Sequence, residues 1–254
     1  MCLILFSHHN HPNYKLVVAA NRDEFYQRPT EQADFWEQAP MILAGKDAEA
    51  GGTWMGITKK GRISMLTNYR DLSNIKENAP SRGHLVSGFL KTEQPAADYL
   101  HHLETTGSQY NGYNIICGDI DHLYYYGNHQ QGVHSIPNGI HGLSNAFLDT
   151  PWPKVEKGKQ GLSTLLNNET IDPESLFELL YNDKEAPGNE LPDTGVGMEK
   201  EKMLSPMFIK SPNYGSRCST VLLVDQNGQV FFAERTYDTL DFSYVTKTFG
   251  FKLG

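Results

Sequence analysis

Runs of apolar residues, some alternating with polar ones, predict eight β-strands in this chain. The runs are rich in β-branched and aromatic residues and occupy residues 2–8, 14–20, 52–57, 62–68, 113–117, 122–126, 219–225 and 229–234. A short polar or glycine-bearing turn joins the two members of each pair, such as Gln226-Asn227-Gly228 before the last run. The pattern therefore predicts antiparallel hairpins.

Helical periodicity occurs between these strand pairs. Residues 83–107 carry apolar residues at helical spacing and are divided by a proline, while Thr150-Pro151 and Asp172-Pro173 each resemble an N-cap followed by a first-turn proline. Residues 182–200 are rich in Gly, Pro, Asp and Glu without periodicity, which indicates a long surface loop. Several strands are apolar on both faces, so we expect two stacked sheets covered by helices.

Composition limits the class of protein. The 254 residues are 39% apolar, enough for a substantial core, and we expect a single domain over residues 1–254. A net charge of −8 argues against a nucleic-acid partner. The short apolar start has no basic residue before it and no run reaches the length of a membrane span, so we expect no membrane insertion, no secretory signal and a cytoplasmic location. Cys2, Cys117 and Cys218 lack metal-ligand spacing, so we expect no disulfide framework, metal or cofactor.

The second residue is a candidate nucleophile. If Met1 is removed, Cys2 carries both a thiol and a free α-amine, whose ordinary pKa of roughly 8 leaves a neutral fraction to accept the thiol proton. The alternative is that Cys2 is a buried hydrophobic residue opening an apolar strand. A hairpin between the first two strands would carry Asn21-Arg22-Asp23-Glu24 back beside Cys2, and this favours the nucleophile.

Arginines recur in polar clusters at the ends of the predicted strands. Arg22, Arg70, Arg82 and Arg217 are four of the seven arginines in the chain. The permanent charge and forked donors of arginine suit a thiolate or a substrate carboxylate. For each arginine taken alone, the alternative is a surface ion pair with a nearby carboxylate.

Asparagine and tryptophan side chains complete the candidate site. Asn68 and Asn145 are candidate oxyanion donors, since an amide donates a hydrogen bond without a charge of its own to neutralise. Asparagine at a strand end also forms turns, which is the alternative for both. Trp54 follows two glycines that allow close backbone approach, and it would either line a substrate pocket or belong to the core.

Seven segments, taken together and in their order along the chain, resemble the NRDE family, also called the transport and Golgi organisation protein 2 family. The resemblance runs from Met1 to about Phe232 and implies a four-layer αββα sandwich of two mainly antiparallel sheets flanked by helices, in the α+β class. This is the N-terminal nucleophile hydrolase fold of choloylglycine hydrolases and penicillin V acylases. The segments are Asn21-Arg22-Asp23-Glu24, Gly51-Gly52-Thr53-Trp54-Met55-Gly56, Thr67-Asn68-Tyr69-Arg70, Ser81-Arg82-Gly83, Gly142-Leu143-Ser144-Asn145, Asp149-Thr150-Pro151-Trp152-Pro153-Lys154-Val155 and Pro192-Asp193-Thr194-Gly195.

Those relatives cleave linear amides with an N-terminal cysteine. Carried over by position, the resemblance implies that Cys2 is the nucleophile, that Asp23 holds the α-amine and that Asn145 donates to the oxyanion. It also implies that Arg217 is a distal arginine, which requires the strand after it to return beside the first strand. We assign substrate binding to five further side chains, which are Asn21, Arg22, Trp54, Asn68 and Arg70.

One departure from the amide hydrolases leaves two functions open. Their second-strand motif reads Arg-Asn-x-Asp, and aligning it on Asn21 and Asp23 puts Ala20 at the arginine position. On a regular strand Asn21 and Asp23 then face Cys2 while Arg22 faces away, unless a bulge corrects the register. The first function is a cofactor-independent hydrolase of linear C–N bonds. The second is a non-catalytic carrier or chaperone of a haem-like or acyl-coenzyme A ligand, as the family's links to lipid, coenzyme A and haem handling imply.

Overall fold

The computed structural model describes residues 2–71 and 73–254, which form two compact units. The described residues of the first lie within Met1–Gln27, Asn138–Ser144 and Leu148–Gly250, and those of the second lie within Arg28–Pro137, Asn145–Phe147 and Phe251–Gly254. Each unit is assembled from separate stretches of the chain, so each core depends on residues that are distant in sequence. The expectation of a single domain over residues 1–254 stays a prediction.

Strands and helices alternate in blocks along the chain. The strands are β1 (Cys2–His8), β2 (Tyr14–Phe25), β3 (Thr30–Trp36), β4 (Ala39–Asp47), β5 (Met55–Thr58), β6 (Ile63–Asn68), β7 (Tyr113–Gly118), β8 (Leu123–Gly127), β9 (His134–Ser135), β10 (Gly139–Leu143), β11 (Tyr214–Asp225), β12 (Gln229–Tyr237) and β13 (Tyr244–Lys252). The helices are α1 (Gly83–Lys91), α2 (Ala96–Thr106), α3 (Pro153–Leu165), α4 (Pro173–Leu180) and α5 (Met198–Met203). Among the residues described, no helix is long and apolar enough to span a bilayer.

The first unit is built on a six-stranded sheet in the order β10-β1-β2-β11-β12-β13. One face of this sheet packs against α3 and α4, where Leu3, Leu5 and Val17 join Val155 and Phe177 in one buried cluster. The side chains of β1 are buried along the whole strand, on both of its faces. β1 is thus an interior strand in which every side chain is shielded from solvent.

The second unit is built on a seven-stranded sheet in the order β3-β4-β5-β6-β7-β8-β9. Its apolar face packs against α1 and α2, with Leu66 and Ile115 of the sheet in one cluster with Val86, Phe89 and Leu100 of the helices. Amphipathic helices therefore cover one face of the sheet in each unit.

The four predicted hairpins are confirmed, because each predicted pair is hydrogen-bonded as antiparallel neighbours. Helix α3 begins at Pro153 rather than directly after Thr150-Pro151. A proline disfavours helical backbone in the residue before it, and Trp152 is accordingly extended with ψ 148°. The prediction at Asp172-Pro173 is confirmed, because the Asp172 side chain accepts a hydrogen bond from Glu174 N at the start of α4.

Asp149 closes the loop that follows β10. Its Oδ1 accepts from Gly142 N at 2.9 Å and from Lys159 Nζ at 2.9 Å, and its Oδ2 lies 2.7 Å from His141 Nδ1. Burial raises the pKa of this carboxyl, but the hydrogen bonds from His141, Lys159 and Gly142 outweigh it and hold the pKa at about 2. The backbone of Asp149 is left-handed with φ 58°, a conformation that asparagine also tolerates.

Replacing Asp149 with asparagine should therefore remove the charge and keep the loop. Because the folded pKa lies below the unfolded one, the charge stabilises the fold above about pH 4, and that stability is lost as the pH falls towards 2. The side chain is 32% exposed, so after solvent screening we expect a loss of about 1 kcal/mol at pH 7. Urea denaturation at several pH values measures this. A deficit that is equally large at pH 7 and near pH 2 would contradict the role of the charge.

Candidate functional site

Cys2 opens a strand in the interior of the first sheet. β1 lies between β10 and β2, and Ile4 pairs with Ala20 of β2, which confirms the predicted neighbour. The Cys2 side chain is only 9% exposed. Ser144, directly after β10, donates a hydrogen bond from Oγ to Cys2 O at 3.2 Å. Sequence reasoning does not single out Ser144, although it stands in a motif that carries the family resemblance.

Arg22 lies directly opposite Cys2. The β1–β2 register pairs Cys2 with Arg22 and Leu3 with Asn21, without a bulge. Directly opposed residues of antiparallel strands project from the same face of the sheet. The prediction that Asn21 and Asp23 face Cys2 while Arg22 faces away is therefore wrong. The hairpin loop sets the register, and its length places even-numbered residues of β2 on the Cys2 face.

The row that contains Cys2 and Arg22 continues to Cys218, because Cys218 of β11 pairs with Arg22 on its other side. Burial and the negative charge of Asp23 raise the pKa of the Cys2 thiol, while the Asp23 backbone N–H and, more weakly, the positive charge of Arg22 lower it. Burial, together with the negative charge of Glu234, raises the pKa of Cys218 well above its ordinary value. Arg22 is thus a buried cation between two thiols, and its charge favours the thiolate form of each.

Asp23 lies one residue beyond the Cys2–Arg22 pair. Its side chain is 1% exposed and its Oδ1 accepts from Ser216 Oγ at 2.6 Å. Burial raises the pKa of Asp23 above its ordinary value, although the charge of Lys154 and the hydrogen bond from Ser216 oppose this rise. The register leaves Asp23 beside the end of β1 at which a chain beginning with Cys2 would carry its α-amine.

Asn21 holds a neighbouring segment instead of facing the thiol. Its Nδ2 donates to Leu180 O at 3.0 Å and to Met207 O at 2.8 Å, and its Oδ1 accepts from Ser219 Oγ at 2.6 Å. These bonds use both amide hydrogens. Asn21 therefore ties β2 to the last residue of α4 and to the chain after α5.

Arg217 is the extra residue at a bulge in β11, between the pairs formed by Ser216 and Cys218. Its Nη1 donates to Phe25 O at 3.1 Å and to Tyr26 O at 2.9 Å. The strand of Arg217 pairs with β2 and not with β1, so the expectation that it returns beside the first strand is wrong. A catalytic role for Arg217 stays a prediction, and the structure shows it holding the chain that leaves β2.

The second unit contains the other predicted residues. Asn145 Nδ2 donates to Asn68 O at 2.8 Å, and Arg70 N donates to Asn145 O at 2.8 Å. Asn145, Asn68 and Arg70 are thus brought together by hydrogen bonds that involve the backbone. Trp54, half-buried before β5, accepts from Leu66 N through its carbonyl at 2.9 Å. Their roles in oxyanion stabilisation and binding stay predictions.

Lys154 is a buried charge that sequence reasoning missed. It stands in the first turn of α3, is 4% exposed and donates from Nζ to Leu204 O at 3.0 Å. The available signal was a lysine between a first-turn proline and a core valine, which is unusual at the positive end of a helix.

Within the described part of the chain, no group of three or more His, Cys, Asp or Glu residues could hold a metal ion.

Solved structures share this fold at very low sequence identity. A Caenorhabditis elegans orthologue of N-acylethanolamine-hydrolyzing acid amidase matches with a TM-score of 0.51 and 11% identity, over 87% of this chain and 92% of that one. The C2A mutant of a conjugated bile acid hydrolase from Clostridium perfringens matches with a TM-score of 0.51 and 8% identity, over 99% of this chain and 97% of that one. Both are N-terminal nucleophile hydrolases, which confirms the predicted fold class.

Relatives of higher identity match over nearly their full length. The mouse Transport and Golgi organization 2 homolog is 38% identical over 100% of this chain and 99% of its own. The human homolog is 37% identical over the same shares, and the Drosophila melanogaster protein is 28% identical over 95% and 94%. A model of the family described as Transport and Golgi organisation 2 matches residues 1–239. The chain therefore belongs to the Transport and Golgi organisation 2 family.

Proposed function

We propose that this protein hydrolyses a linear amide bond of a small molecule, with Cys2 as an N-terminal nucleophile after removal of Met1. The observation that carries the proposal is the arrangement at the start of β1. Cys2 opens the strand, Arg22 lies directly opposite, and Asp23 lies one residue further along β2. Met1 itself lies outside the described residues.

The buried environment of Cys2 means that its thiol needs a base. Because burial raises the pKa of the thiol, Cys2 is mainly protonated at neutral pH and needs a base before it can attack. The α-amine of the same residue would take that proton, and the sulfur would attack the amide carbonyl. The ammonium then returns the proton to the leaving amine, and water hydrolyses the thioester. Arg22 favours the thiolate during the attack, and Asp23 would hold the amine.

The comparisons support this chemistry without identifying the substrate. The two matched structures are named for hydrolysing N-acylethanolamines and conjugated bile acids, and the second is a C2A mutant, in which alanine replaces a cysteine at position 2. Fold likeness alone does not transfer a substrate. The oxyanion role of Asn145 and a cytoplasmic location remain part of this proposal.

An acylating probe tests the nucleophile directly. We expect p-nitrophenyl acetate to acetylate the Met1-trimmed protein at Cys2 and not at Cys117 or Cys218, as read by intact mass and peptide mapping. Cys117 is fully buried with its pKa raised to about 12 by burial, and burial also raises the pKa of Cys218 well above its ordinary value. Both should therefore be unreactive at neutral pH.

Cys2→Ala is the matched control and should abolish the added mass. Trimmed protein that stays unmodified at Cys2 would overturn the hydrolase. That result would favour the carrier of a haem-like or acyl-coenzyme A ligand. A panel of N-acyl amides, followed by release of the amine, would then define the substrate of an active protein.

A further inference from the structure

A short segment, residues 204–209, links three polar side chains beneath β2. Lys154 Nζ donates to Leu204 O at 3.0 Å, and Asn21 Nδ2 donates to Met207 O at 2.8 Å. Ser216 Oγ accepts from Ile209 N at 3.0 Å. Each contact is buried. The segment therefore runs along the face of β2 that carries Asn21, from Lys154 at one end to Ser216 at the other.

Asp23 lies at the Ser216 end of this segment. Ser216 Oγ donates to Asp23 Oδ1 at 2.6 Å and so joins the carboxylate to the segment. Asp23 and Asn21 project from the same face of β2, because strand side chains alternate. The Lys154 ammonium is thus buried on the same side of the sheet as the Asp23 carboxylate, with which it interacts electrostatically.

The position of Lys154 is costly for a purely structural residue. Burying an ammonium is unfavourable unless a negative charge or hydrogen bonds compensate it. A cation in the first turn of a helix also meets the positive end of the helix dipole. A neutral donor would serve the Leu204 carbonyl equally well. Asp23 is a buried anion on the same side of the sheet with which this charge interacts favourably.

We propose that Lys154 is a positioning residue, which keeps the buried Asp23 carboxylate ionised so that it can hold the α-amine of Cys2. The inference rests on the proposed N-terminal nucleophile. Without the lysine, the pKa of the buried Asp23 carboxyl would rise further, and a neutral carboxyl holds an amine poorly.

Other charged and titratable groups around Asp23 also affect its ionisation. Glu24 opposes its ionisation, and the Ser216 hydroxyl supports it. The buried Glu201 of α5 accepts from Thr194 N at 2.8 Å and from Thr194 Oγ1 at 2.6 Å. Further titratable groups on neighbouring elements include Cys2, Arg22, Tyr26 and Arg217.

The pH profile of Cys2 acetylation by p-nitrophenyl acetate tests the inference. Lys154→Gln keeps a donor for the Leu204 carbonyl and removes the charge. We expect the acidic limb of the profile to move up by about one pH unit, because the Asp23 carboxyl then ionises at higher pH. Lys154→Arg should return the acidic limb most of the way to its original pH, because the positive charge is present again. Lys157→Met removes a charge from the exposed side of the same helix and should leave the profile unchanged.

The outcomes separate the two proposals. Acetylation of Cys2 with an acidic limb that Lys154→Gln does not move would overturn the role of Lys154 and leave the nucleophile intact. Absence of acetylation in the unsubstituted protein would overturn the nucleophile. A double-mutant cycle of Lys154→Gln and Asp23→Asn, measured by urea denaturation at pH 7, then measures the interaction between these two side chains independently of Cys2 chemistry. We expect about a tenfold effect on the unfolding constant, and additive effects would contradict it.

If Lys154→Gln does not fold, Lys154→Met is the second uncharged variant for both measurements. A general loss of packing would lower stability or rate at every pH. It would not displace the acidic limb, and this distinguishes a structural lysine from a positioning one.

Discussion

Replacing Arg22 with methionine is expected to slow alkylation of Cys2 by iodoacetamide about tenfold at neutral pH. Arg22 lies directly opposite Cys2 and its charge lowers the pKa of the thiol. An opposite charge nearby favours the charged form of a group, and one pKa unit is a tenfold change in thiolate at a pH below the pKa. Methionine keeps much of the length and volume of the side chain, so the strand pairing should survive.

The pH dependence gives the sign of this effect. Loss of Arg22 raises the pKa of Cys2 further, so the alkylation profile of the variant should move to higher pH and meet that of the unsubstituted protein only in strong base. Arg22→Lys should recover part of the rate, because the charge returns without the forked geometry.

Arg217→Ala is the matched control for Arg22. Arg217 contacts the Phe25 and Tyr26 carbonyls, and its strand is separated from that of Cys2 by β2. We expect its loss to weaken the chain after β2 and to leave the alkylation rate within about twofold. A slow Arg217 variant beside an unaffected Arg22 variant would reverse these assignments and restore the distal arginine predicted from the family resemblance.

Replacing Gly52 with alanine is expected to destabilise the second unit by about 3 kcal/mol or to prevent its folding. A Cβ at Gly52 would lie 2.5 Å from Gly83 C, 2.7 Å from Gly83 O and 2.8 Å from His84 N. These are backbone atoms at the start of α1, and they cannot rotate away as a flexible side chain can. Thr53 N also donates to Gly83 O at 3.2 Å, so relief would break that contact.

Gly188→Ala provides the matched control, because a Cβ there would meet nothing within 4 Å. We expect a change in the free energy of unfolding of no more than about 0.5 kcal/mol, as at most surface positions. Urea denaturation followed by circular dichroism compares the two variants. Equal stability of the Gly52 and Gly188 variants would mean that the close approach of strand and helix is not required.

The glycines of the Gly51-Gly52-Thr53-Trp54 segment predict close backbone approach. In the structure, Gly52 lets the chain before β5 pack against the first turn of α1. Sequence reasoning identifies the need for a small residue. It does not identify the neighbour, because Gly83 is distant in the chain.

Five strands escaped prediction: β9 has only two residues, and the other four have identifiable reasons. β3 has few apolar residues and only one buried position, and β13 is an exposed edge strand. β4 contains Pro40 and Gly45, which are depleted in strands. β10 includes two glycines in five residues. Pairing with neighbouring strands, rather than intrinsic preference, makes these segments extended.

The sequence alone determined the features that depend on neighbouring residues. Alternation and turn chemistry act over a few positions, so the four hairpins, the division of α1 from α2 and the Asp172 cap could be predicted before the structure was known. The segments that resemble the family also led to the fold, which the solved structures confirm.

Only the tertiary structure decided which side chains meet. A shift of one residue in the β1–β2 register would exchange Arg22 for a neighbour on the Cys2 face, and that register depends on the whole hairpin loop. The burial of Lys154 and Asp23 on the same side of the sheet requires α3, residues 204–209 and β11 to assemble around β2. Such assembly brings together residues that are far apart in the chain, and no local pattern of hydrophobic and polar residues specifies it.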